Sequence, residues 1–201
     1  MLLIKNDKPL RLVGYIESSA TEGILLLVQR MSFLDIEVIR PDAFRKLENK
    51  NDYQYFVTVA IDLVERKEMI DIIDNLDLDC ISFADDSCLV HESAKIGKGV
   101  SIFGFSLIMA EAVVGNHVMI DAYCMVAHHT EVGDNCLIRS GTLIAGRTKI
   151  GKNCTFGLKS GVINKVSICD NTHVGAFSNV TKNIEIPGMY IGSPARLRGT
   201  V

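Results

Sequence analysis

The second half of the chain has a hydrophobic pattern that repeats every six residues. From Val90 onward, every sixth position holds an aliphatic residue or phenylalanine. The members of this series are Val90, Ile96, Ile102, Ile108, Val114, Ile120, Val126, Val132, Ile138, Ile144, Ile150, Phe156, Val162, Ile168, Val174, Val180 and Ile186. A second series, of usually smaller residues, follows each member by four positions, from Ala94 to Ile184. Because this period matches neither a helix nor a single strand, it predicts a chain that forms a short strand, turns a corner and repeats.

A slower period of 18 residues groups the six-residue units in threes. Residues that recur at this spacing are Gly97, Gly115, Gly133 and Gly151, and likewise Asn135, Asn153 and Asn171. Three units therefore form one triangular coil, and equivalent residues of successive coils lie one strand spacing apart, about 4.8 Å. We expect the glycines at one corner of each coil, where the backbone must be unhindered. The pattern predicts a parallel β-helix of about five coils, with both series filling its interior.

The first part of the chain alternates between strand-like and helix-like segments. Strands are predicted at residues 11–16, 33–39 and 55–60, helices at 23–31 and 63–75, and an exposed polar loop at 49–52. This alternation is typical of a small parallel α/β unit. We therefore expect two domains, an α/β domain at residues 1–83 and a β-helix at residues 84–201.

The composition of the 201 residues excludes several classes of protein. The chain is 48% apolar and 22% charged with a net charge of −3, so it lacks the concentrated basic patch that binds nucleic acids. No apolar stretch approaches the roughly 20 residues that span a bilayer, and Lys5 follows the first apolar residues too soon for a signal peptide. Six cysteines without a CxxC pair are expected to be reduced thiols. We expect a cytoplasmic protein.

Two adjacent histidines stand outside both core series. The repeat places His128 in one column with Ala110, Gly146 and Asn164, and places His129 between Glu111 and Arg147. Histidine is the side chain best suited to accept a proton near neutral pH, so both are candidates for acid–base chemistry. The spacing puts a base and the unobstructed backbone N–H of Gly146 one strand apart on the same side of the prism. On a strand, the two neighbouring rings are expected to point in different directions.

Three segments of this region resemble motifs of one enzyme family. Residues 126–134, 140–146 and 187–196 are similar to the active-site stretch, the stretch one coil further on and the C-terminal signature of the bacterial sugar acyltransferases. These enzymes join a small Rossmann-like domain to a left-handed β-helix, and they include nucleotide-amino-sugar N-acetyltransferases and sialic acid O-acetyltransferases.

The resemblance implies an activity and an assembly. The activity is transfer of an acyl group, by default acetyl from acetyl-CoA, to the amino group of a nucleotide-linked amino sugar in surface polysaccharide biosynthesis. The assembly is a homotrimer with coenzyme A between adjacent prisms. No metal is implied.

The resemblance also implies roles for individual residues. His128 is the general base, and the Gly146 amide points at the thioester carbonyl. Glu111 and Asp121 are candidates for orienting His128, because the acidic residue that often lies beside the base in the family is absent here. Asp121 could instead pair with Arg139, one coil away. Candidates for binding coenzyme A are Ala145, Gly146, Asn164, Lys165, Lys182, Gly192, Pro194 and Arg196.

The first domain departs from the family. Family members carry a glycine-rich turn after the first strand, near the nucleotide, whereas residues 15–23 here contain only Gly23. A backbone without glycine cannot approach a phosphate as closely. Ser18, Ser19 and Asp35 are then the candidates for substrate contact, and the domain either binds a different part of the substrate or caps the prism.

Three alternatives remain open. A sugar O-acetyltransferase would use the same site on a hydroxyl group. A zinc hydrase similar to the γ-class carbonic anhydrases would need three converging histidines, and none of the other three histidines shares a column with His128 or His129. A non-catalytic β-helix scaffold would need neither the base nor the C-terminal signature. Cys136 and Cys154 stack one coil apart, but they occupy inward positions and are expected in the core.

Overall fold

The computed structural model describes residues 2–4, 8–14, 22, 36–60 and 62–199. The chain divides into two compact units, Met1–Phe83 and Ala84–Val201. The helix predicted at residues 23–31 and the turn at residues 15–21 lie outside the described residues.

The first unit contains a three-stranded parallel sheet. Its elements are β1 (Leu2–Ile4), β2 (Leu10–Val13), β3 (Ile36–Ile39), α1 (Pro41–Lys46), β4 (Gln54–Val57), α2 (Leu63–Asn75) and β5 (Ser82–Ala84). Strand β2 lies between β3 and β4 and is parallel to both. Strand β1 pairs with β5 in an antiparallel manner.

The bounds of the elements partly match the sequence pattern. Helix α2 has the predicted bounds, because the Asp62 side chain caps its N-terminus by accepting a hydrogen bond from the Glu65 N–H at 2.9 Å. It buries Met69 and Ile73 in the core of this unit. Strand β4 begins one residue earlier than predicted and ends at Val57. The pattern missed α1 and the 3-10 turn at Lys50–Asp52, which occupies most of the predicted loop.

The second unit is a parallel β-solenoid of two-residue and three-residue strands. In chain order these are β6 (Leu89–Val90), β7 (Lys95–Ile96), β8 (Ser101–Ile102), β9 (Leu107–Ile108), β10 (Val113–Val114), β11 (Met119–Ile120), β12 (Met125–Val126), β13 (Glu131–Val132), β14 (Leu137–Ile138), β15 (Leu143–Ile144), β16 (Lys149–Ile150), β17 (Thr155–Phe156), β18 (Gly161–Val162), β19 (Ser167–Ile168), β20 (Thr172–Val174) and β21 (Asn179–Val180). Two longer strands, β22 (Gly188–Ile191) and β23 (Arg196–Gly199), form an antiparallel hairpin at the C-terminal end.

Every third strand belongs to the same face of the prism. Face 1 runs from β6 to β21, face 2 from β7 to β19, and face 3 from β8 through β20 to the terminal hairpin. Within β6 to β21 the paired residues differ by 18 positions, as in Met125 opposite Leu143, which confirms the predicted stacking. Face 1 contains six strands, so the solenoid has about six turns rather than about five.

The interior contains the two predicted series. Members of the first series are buried from Ile102 to Val180, while Ile186 is 59% exposed because it follows the last coil. The small series is buried from Val100 to Ile184. It includes Cys136 and Cys154, both with no exposed surface, which confirms their place in the core.

The turns at the corners and the predicted glycine column involve different residues. From Ile96 to Val174, left-handed backbone occurs three residues after each member of the inward series, mostly at non-glycine residues such as Tyr123, His129 and Asn153. The glycine column at Gly97, with its equivalents 18 residues apart, has no left-handed backbone. A Cβ at Gly97 would instead lie 2.7 Å from the carbonyl carbon of Gly115. These glycines therefore permit close stacking of successive coils, and do not provide the turn.

Candidate active site

The histidine pair lies where face 1 turns into face 2, between β12 and β13. We call this corner, with the column Ala110, His128, Gly146 and Asn164, the histidine edge. The ladder fixes the backbone here, because the His129 N–H donates to the Ala110 carbonyl and the Arg147 N–H to the His128 carbonyl, each at 3.0 Å. The His128 side chain is half-buried. It is therefore held on a regular scaffold while remaining open to solvent.

The imidazole of His128 lies over the backbone of Gly146. A Cβ built on Gly146 would come within 2.7 Å of Nε2 and 2.8 Å of Cε1 of that ring. Such distances are shorter than van der Waals contact, so only glycine leaves room for the ring. The structure thus brings together the two residues that the 18-residue period placed in one column.

The N–H of Gly146 points away from the solenoid interior. Two buried threonines hold the preceding carbonyl, since the hydroxyls of Thr130 and Thr148 donate to the Ala145 oxygen at 3.0 and 2.7 Å. In a planar trans peptide the C=O and the next N–H point in opposite directions. Because the Ala145 carbonyl is directed at the interior, the Gly146 N–H is directed outward.

This N–H has no acceptor among the residues that the structure describes. The equivalent backbone N–H groups at the edge between faces 2 and 3 do have acceptors, because side chains of the next coil accept their hydrogen bonds. There the Lys98 N–H donates to Asn116, the Asn116 N–H to Asp134 and the Lys152 N–H to Asp170. At the histidine edge, Asn164 occupies the capping position but makes no such bond to Gly146. A donor is therefore available there for a ligand oxygen.

The two histidines face each other, contrary to the expectation that they diverge. Their Nδ1 atoms are 3.1 Å apart, and the ring planes are nearly perpendicular, at 87°. The cause is the left-handed backbone of His129, with φ of 58°, which turns the chain at the corner. The alternation of side chains expected for a strand does not apply at such a position.

The predicted acidic partners do not contact the base. The Asp121 carboxylate lies 3.7 Å from the Arg139 guanidinium, at the edge between faces 3 and 1. Burial raises the pKa of Asp121, and Arg139 opposes that shift. Glu111 is exposed and stacks in the column of His129, but no hydrogen bond joins it to either histidine among the described residues. The expectation that Glu111 or Asp121 orients His128 is therefore not met within one chain.

A recess on face 1 adjoins the histidine edge. It has a volume of about 430 Å³, and its lining includes Met125, Leu143, Ala145, Asn164 and Asn179. Two of the predicted coenzyme A contacts, Ala145 and Asn164, thus share one concave surface beside Gly146.

The C-terminal segment is attached to the end of this recess. The Asn179 N–H donates to the Gly192 carbonyl at 2.9 Å, and the Asn179 side chain donates to the Ser193 hydroxyl at 3.0 Å. Pro194 follows directly, with a cis peptide bond. Gly192 and Pro194 are therefore near the recess that Ala145 and Asn164 line.

The remaining predicted residues are spread more widely. Lys165, Lys182 and Arg196 are exposed, and the Lys165 N–H donates to the Gly146 carbonyl at 3.0 Å. Ser18, Ser19 and Asp35 lie outside the described residues.

Two features of this site were not predicted from the sequence. They are the part of Thr130 and Thr148 in fixing the Gly146 peptide, and the contact between the two histidines. The first had a signal, because both positions of the small series hold a hydroxyl side chain. The second required the left-handed backbone at the corner, which no residue type at position 129 indicates.

Metal ligation and membrane insertion have no support in the described part of the chain. No three His, Cys, Asp or Glu side chains gather there in a way that could hold a metal ion. None of the described helices has the length and apolar character needed to cross a bilayer.

Comparison with known families identifies the repeats. The model "Bacterial transferase hexapeptide (six repeats)" matches residues 111–146, and "Hexapeptide repeat of succinyl-transferase" matches residues 147–181. Together with the coil geometry, these matches define the second unit as a hexapeptide-repeat β-helix, which confirms the predicted repeat. A comparison with curated proteins finds no significant match.

Solved structures share the fold of almost the whole chain. The acetyltransferase domain of PglB from Neisseria gonorrhoeae, in complex with acetyl coenzyme A, has a TM-score of 0.86 at 17% identity, covering 96% of this chain and 100% of that one. A histidine-to-asparagine variant of perosamine N-acetyltransferase from Caulobacter crescentus, in complex with CoA and GDP-perosamine, has a TM-score of 0.86 at 19% identity and 99% coverage of both chains. WeeI from Acinetobacter baumannii has a TM-score of 0.62 at 14% identity, covering 94% of this chain and 99% of that one.

Proposed function

We propose that the chain transfers an acetyl group from acetyl-CoA to the amino group of a nucleotide-linked amino sugar in surface polysaccharide biosynthesis. One observation carries the proposal: the His128 imidazole lies beside an outward N–H of Gly146 that has no acceptor among the described residues. An amine that attacks a thioester needs a base for its proton and a donor for the developing oxyanion. The histidine edge supplies both.

The reaction needs no covalent enzyme intermediate. Nε2 of His128 takes a proton from the acceptor amine as its nitrogen bonds to the thioester carbonyl carbon. The Gly146 N–H stabilises the negative charge that forms on the carbonyl oxygen. The carbon–sulfur bond then breaks, and the thiolate of coenzyme A receives a proton, so the products are the amide and free coenzyme A.

The acyl donor fits the recess beside this edge. Ala145 and Asn164 line the recess, and Asn179 attaches the segment with Gly192 and Pro194 to its end. Lys165, Lys182 and Arg196 are exposed cations at the C-terminal side of the base and are available for the phosphates of coenzyme A. The folds that this chain resembles include a domain in complex with acetyl coenzyme A and an N-acetyltransferase in complex with CoA and GDP-perosamine.

The assembly that we propose is a homotrimer of left-handed β-helices in the cytoplasm. Its support is an apolar stripe along face 1, where Leu89, Leu107 and Leu143 are between 41% and 59% exposed. A stripe of this kind on a solvent-exposed face favours contact with another chain. A neighbouring prism against face 1 would enclose the recess that lies on the same face.

For the first unit, we propose a Rossmann-like domain that binds the acceptor. Its three parallel strands and helices α1 and α2 support an α/β domain of this kind. Ser18, Ser19 and Asp35 remain the candidates for contact with the substrate.

The test is acetyl transfer to a panel of acceptors. Purified protein is mixed with acetyl-CoA and nucleotide-linked amino sugars or their hydroxyl counterparts, and free coenzyme A and acylated product are measured. We expect an N-acetylated product, lost in His128→Gln and retained in His91→Gln, which changes an exposed histidine elsewhere on the prism. A product from the hydroxyl compounds alone would replace the proposal with O-acetylation. Absence of any thiol release would contradict it.

A further inference from the structure

The histidine pair restricts where the protons of both rings can be. The Nδ1 atoms of His128 and His129 are 3.1 Å apart, within hydrogen-bond distance. In a neutral imidazole one nitrogen donates and the other accepts. A hydrogen bond between two Nδ1 atoms therefore requires one ring to carry its proton on Nδ1 and the other to carry it on Nε2.

The two possible arrangements differ in their consequence for Nε2 of His128, the atom closest to where a Cβ of Gly146 would be. If His128 donates from Nδ1, its Nε2 has a free lone pair. If His129 donates, Nε2 of His128 carries the proton and cannot accept another. Only the first arrangement gives a base that faces Gly146.

The surroundings of His129 favour the first arrangement. The His129 side chain is exposed, and its only hydrogen bond among the described residues is the one to His128. An exposed neutral histidine keeps the Nε2–H form that free imidazole side chains prefer, with that N–H in water. Its Nδ1 is then an acceptor. No carboxylate among the described residues contacts His128. His129 is therefore the residue that accepts a hydrogen bond from Nδ1 of His128.

We propose that His129 is a positioning residue that holds His128 in the Nδ1–H tautomer and thereby leaves Nε2 free to accept a proton. The tautomer is a property of the unliganded protein, and its use in catalysis rests on the proposed acetyl transfer. The left-handed backbone of His129 is what brings its ring back to His128. A residue that replaces it must therefore adopt φ near 58° as well as accept a hydrogen bond.

His91 provides an internal reference with the opposite tautomer. Its Nδ1 accepts the N–H of Ser93 at 3.2 Å, so a neutral His91 must carry its proton on Nε2. Both histidines are in the same solenoid and are observed in the same spectrum. The expected contrast between them does not depend on any substrate.

The first experiment reads the tautomers directly. Protein labelled with ¹⁵N-histidine is studied by long-range ¹H–¹⁵N correlation at a pH where the rings are neutral, and His128→Gln and His91→Gln assign the signals. We expect the Nδ1–H pattern for His128 and the Nε2–H pattern for His91. In His129→Asn, which tolerates left-handed backbone but has no imidazole, the His128 signal should move toward the Nε2–H pattern. An Nε2–H pattern for His128 in the unmodified protein would overturn the inference.

The second experiment separates this inference from the proposed function. We expect His129→Asn to lower kcat about tenfold, a part of the roughly 10²- to 10⁴-fold effect of a general base, without changing the KM for acetyl-CoA. His129→Asp, whose carboxylate can accept the Nδ1 proton and which also tolerates this backbone, should restore most of kcat. Equal kcat in the two variants would overturn the positioning role.

Failure of the proposed function and failure of the tautomer inference give different results. An Nδ1–H tautomer without acetyl transfer would contradict the proposed function and leave the tautomer intact. Acetyl transfer with an Nε2–H tautomer would contradict the inference alone. Lys159→Asn, at another exposed left-handed corner, controls for loss of folding.

Discussion

The ring of His128 occupies the space that a side chain on Gly146 would fill, with Nε2 within 2.7 Å of the position of the missing Cβ. Two residues that are 18 positions apart in the sequence are thus in direct contact across one strand spacing. The contact defines the site, because it puts a proton acceptor beside a backbone N–H that has no acceptor among the described residues. A single methyl group added at Gly146 would therefore displace the His128 ring.

Gly146→Ala should abolish most of the activity without unfolding the protein. Gly146 does not have left-handed backbone, so alanine fits the local conformation but displaces the His128 ring. We expect kcat to fall by about 10²-fold or more, as for loss of a general base, with a small change in Tm. Gly104→Ala is the matched control at the equivalent position of another corner, where a Cβ would meet the Ser87 side chain at 3.0 Å. Equal activity of the two variants would show that the ring position is unimportant.

Thr148→Val should loosen the peptide that carries the Gly146 N–H. It removes the 2.7 Å hydrogen bond to the Ala145 carbonyl but keeps the shape of the side chain. We expect a loss of about 1 kcal/mol in stability and a several-fold lower kcat, less than the roughly 10²- to 10³-fold effect of losing an oxyanion donor.

Thr172→Val separates these two effects. Its hydroxyl donates to the Cys169 carbonyl at 2.9 Å, in the same local arrangement at another edge. It should cost similar stability in urea titration and leave kcat unchanged. If both variants lowered kcat equally, the effect would be one of folding alone.

Asn153 should stabilise the solenoid in two ways, through the turn that its backbone makes and through a ladder of hydrogen bonds between asparagine side chains of successive coils. Its backbone is left-handed, and its side chain accepts from Asn135 at 3.0 Å and donates to Asn171 at 3.2 Å. Asn153→Ala should cost about 2 to 3 kcal/mol, from about 1 to 2 kcal/mol of strain and about 1 kcal/mol of lost hydrogen bonding. Asn153→Gly, which removes only the ladder, should cost less. Denaturant titration that ranks glycine as the worse substitution would contradict this assignment.

His173 should make the solenoid sensitive to acid. Burial between β17 and β22 lowers the pKa of His173 from its ordinary value near 6.5. The unfolded chain then binds the proton more readily, so the stabilisation is present above that value and is lost as the pH falls. Between about pH 7.5 and about pH 5.5, His173→Gln should lose less stability than the unmodified protein. An identical pH dependence of the free energy of unfolding would refute this role.

The solenoid could be predicted from sequence to the level of individual contacts, because a repeat fixes the register. Once the inward positions and the 18-residue period are known, His128 must stack on Gly146 and Cys136 on Cys154. What the period cannot give is the conformation of the corner residues. The prediction that the rings of His128 and His129 diverge was therefore wrong.

The first unit was less predictable because its contacts are not periodic. Helix α2 could be predicted, since its N-cap at Asp62 and its apolar positions are local signals. Helix α1 is six residues long, too short for a recognisable period, and was missed. The sequence allows Asp121 either to orient His128 or to pair with Arg139, and only the structure shows that it lies beside Arg139.

His128 is the proposed base for acetyl transfer at the histidine edge. The most direct test is to compare kcat and acetyl-CoA affinity of His128→Gln with those of the unmodified protein and of His91→Gln, using the amino sugar that gives product. We expect kcat of His128→Gln to fall by about 10²- to 10⁴-fold while acetyl-CoA affinity stays the same. Retained kcat in His128→Gln would contradict the claim.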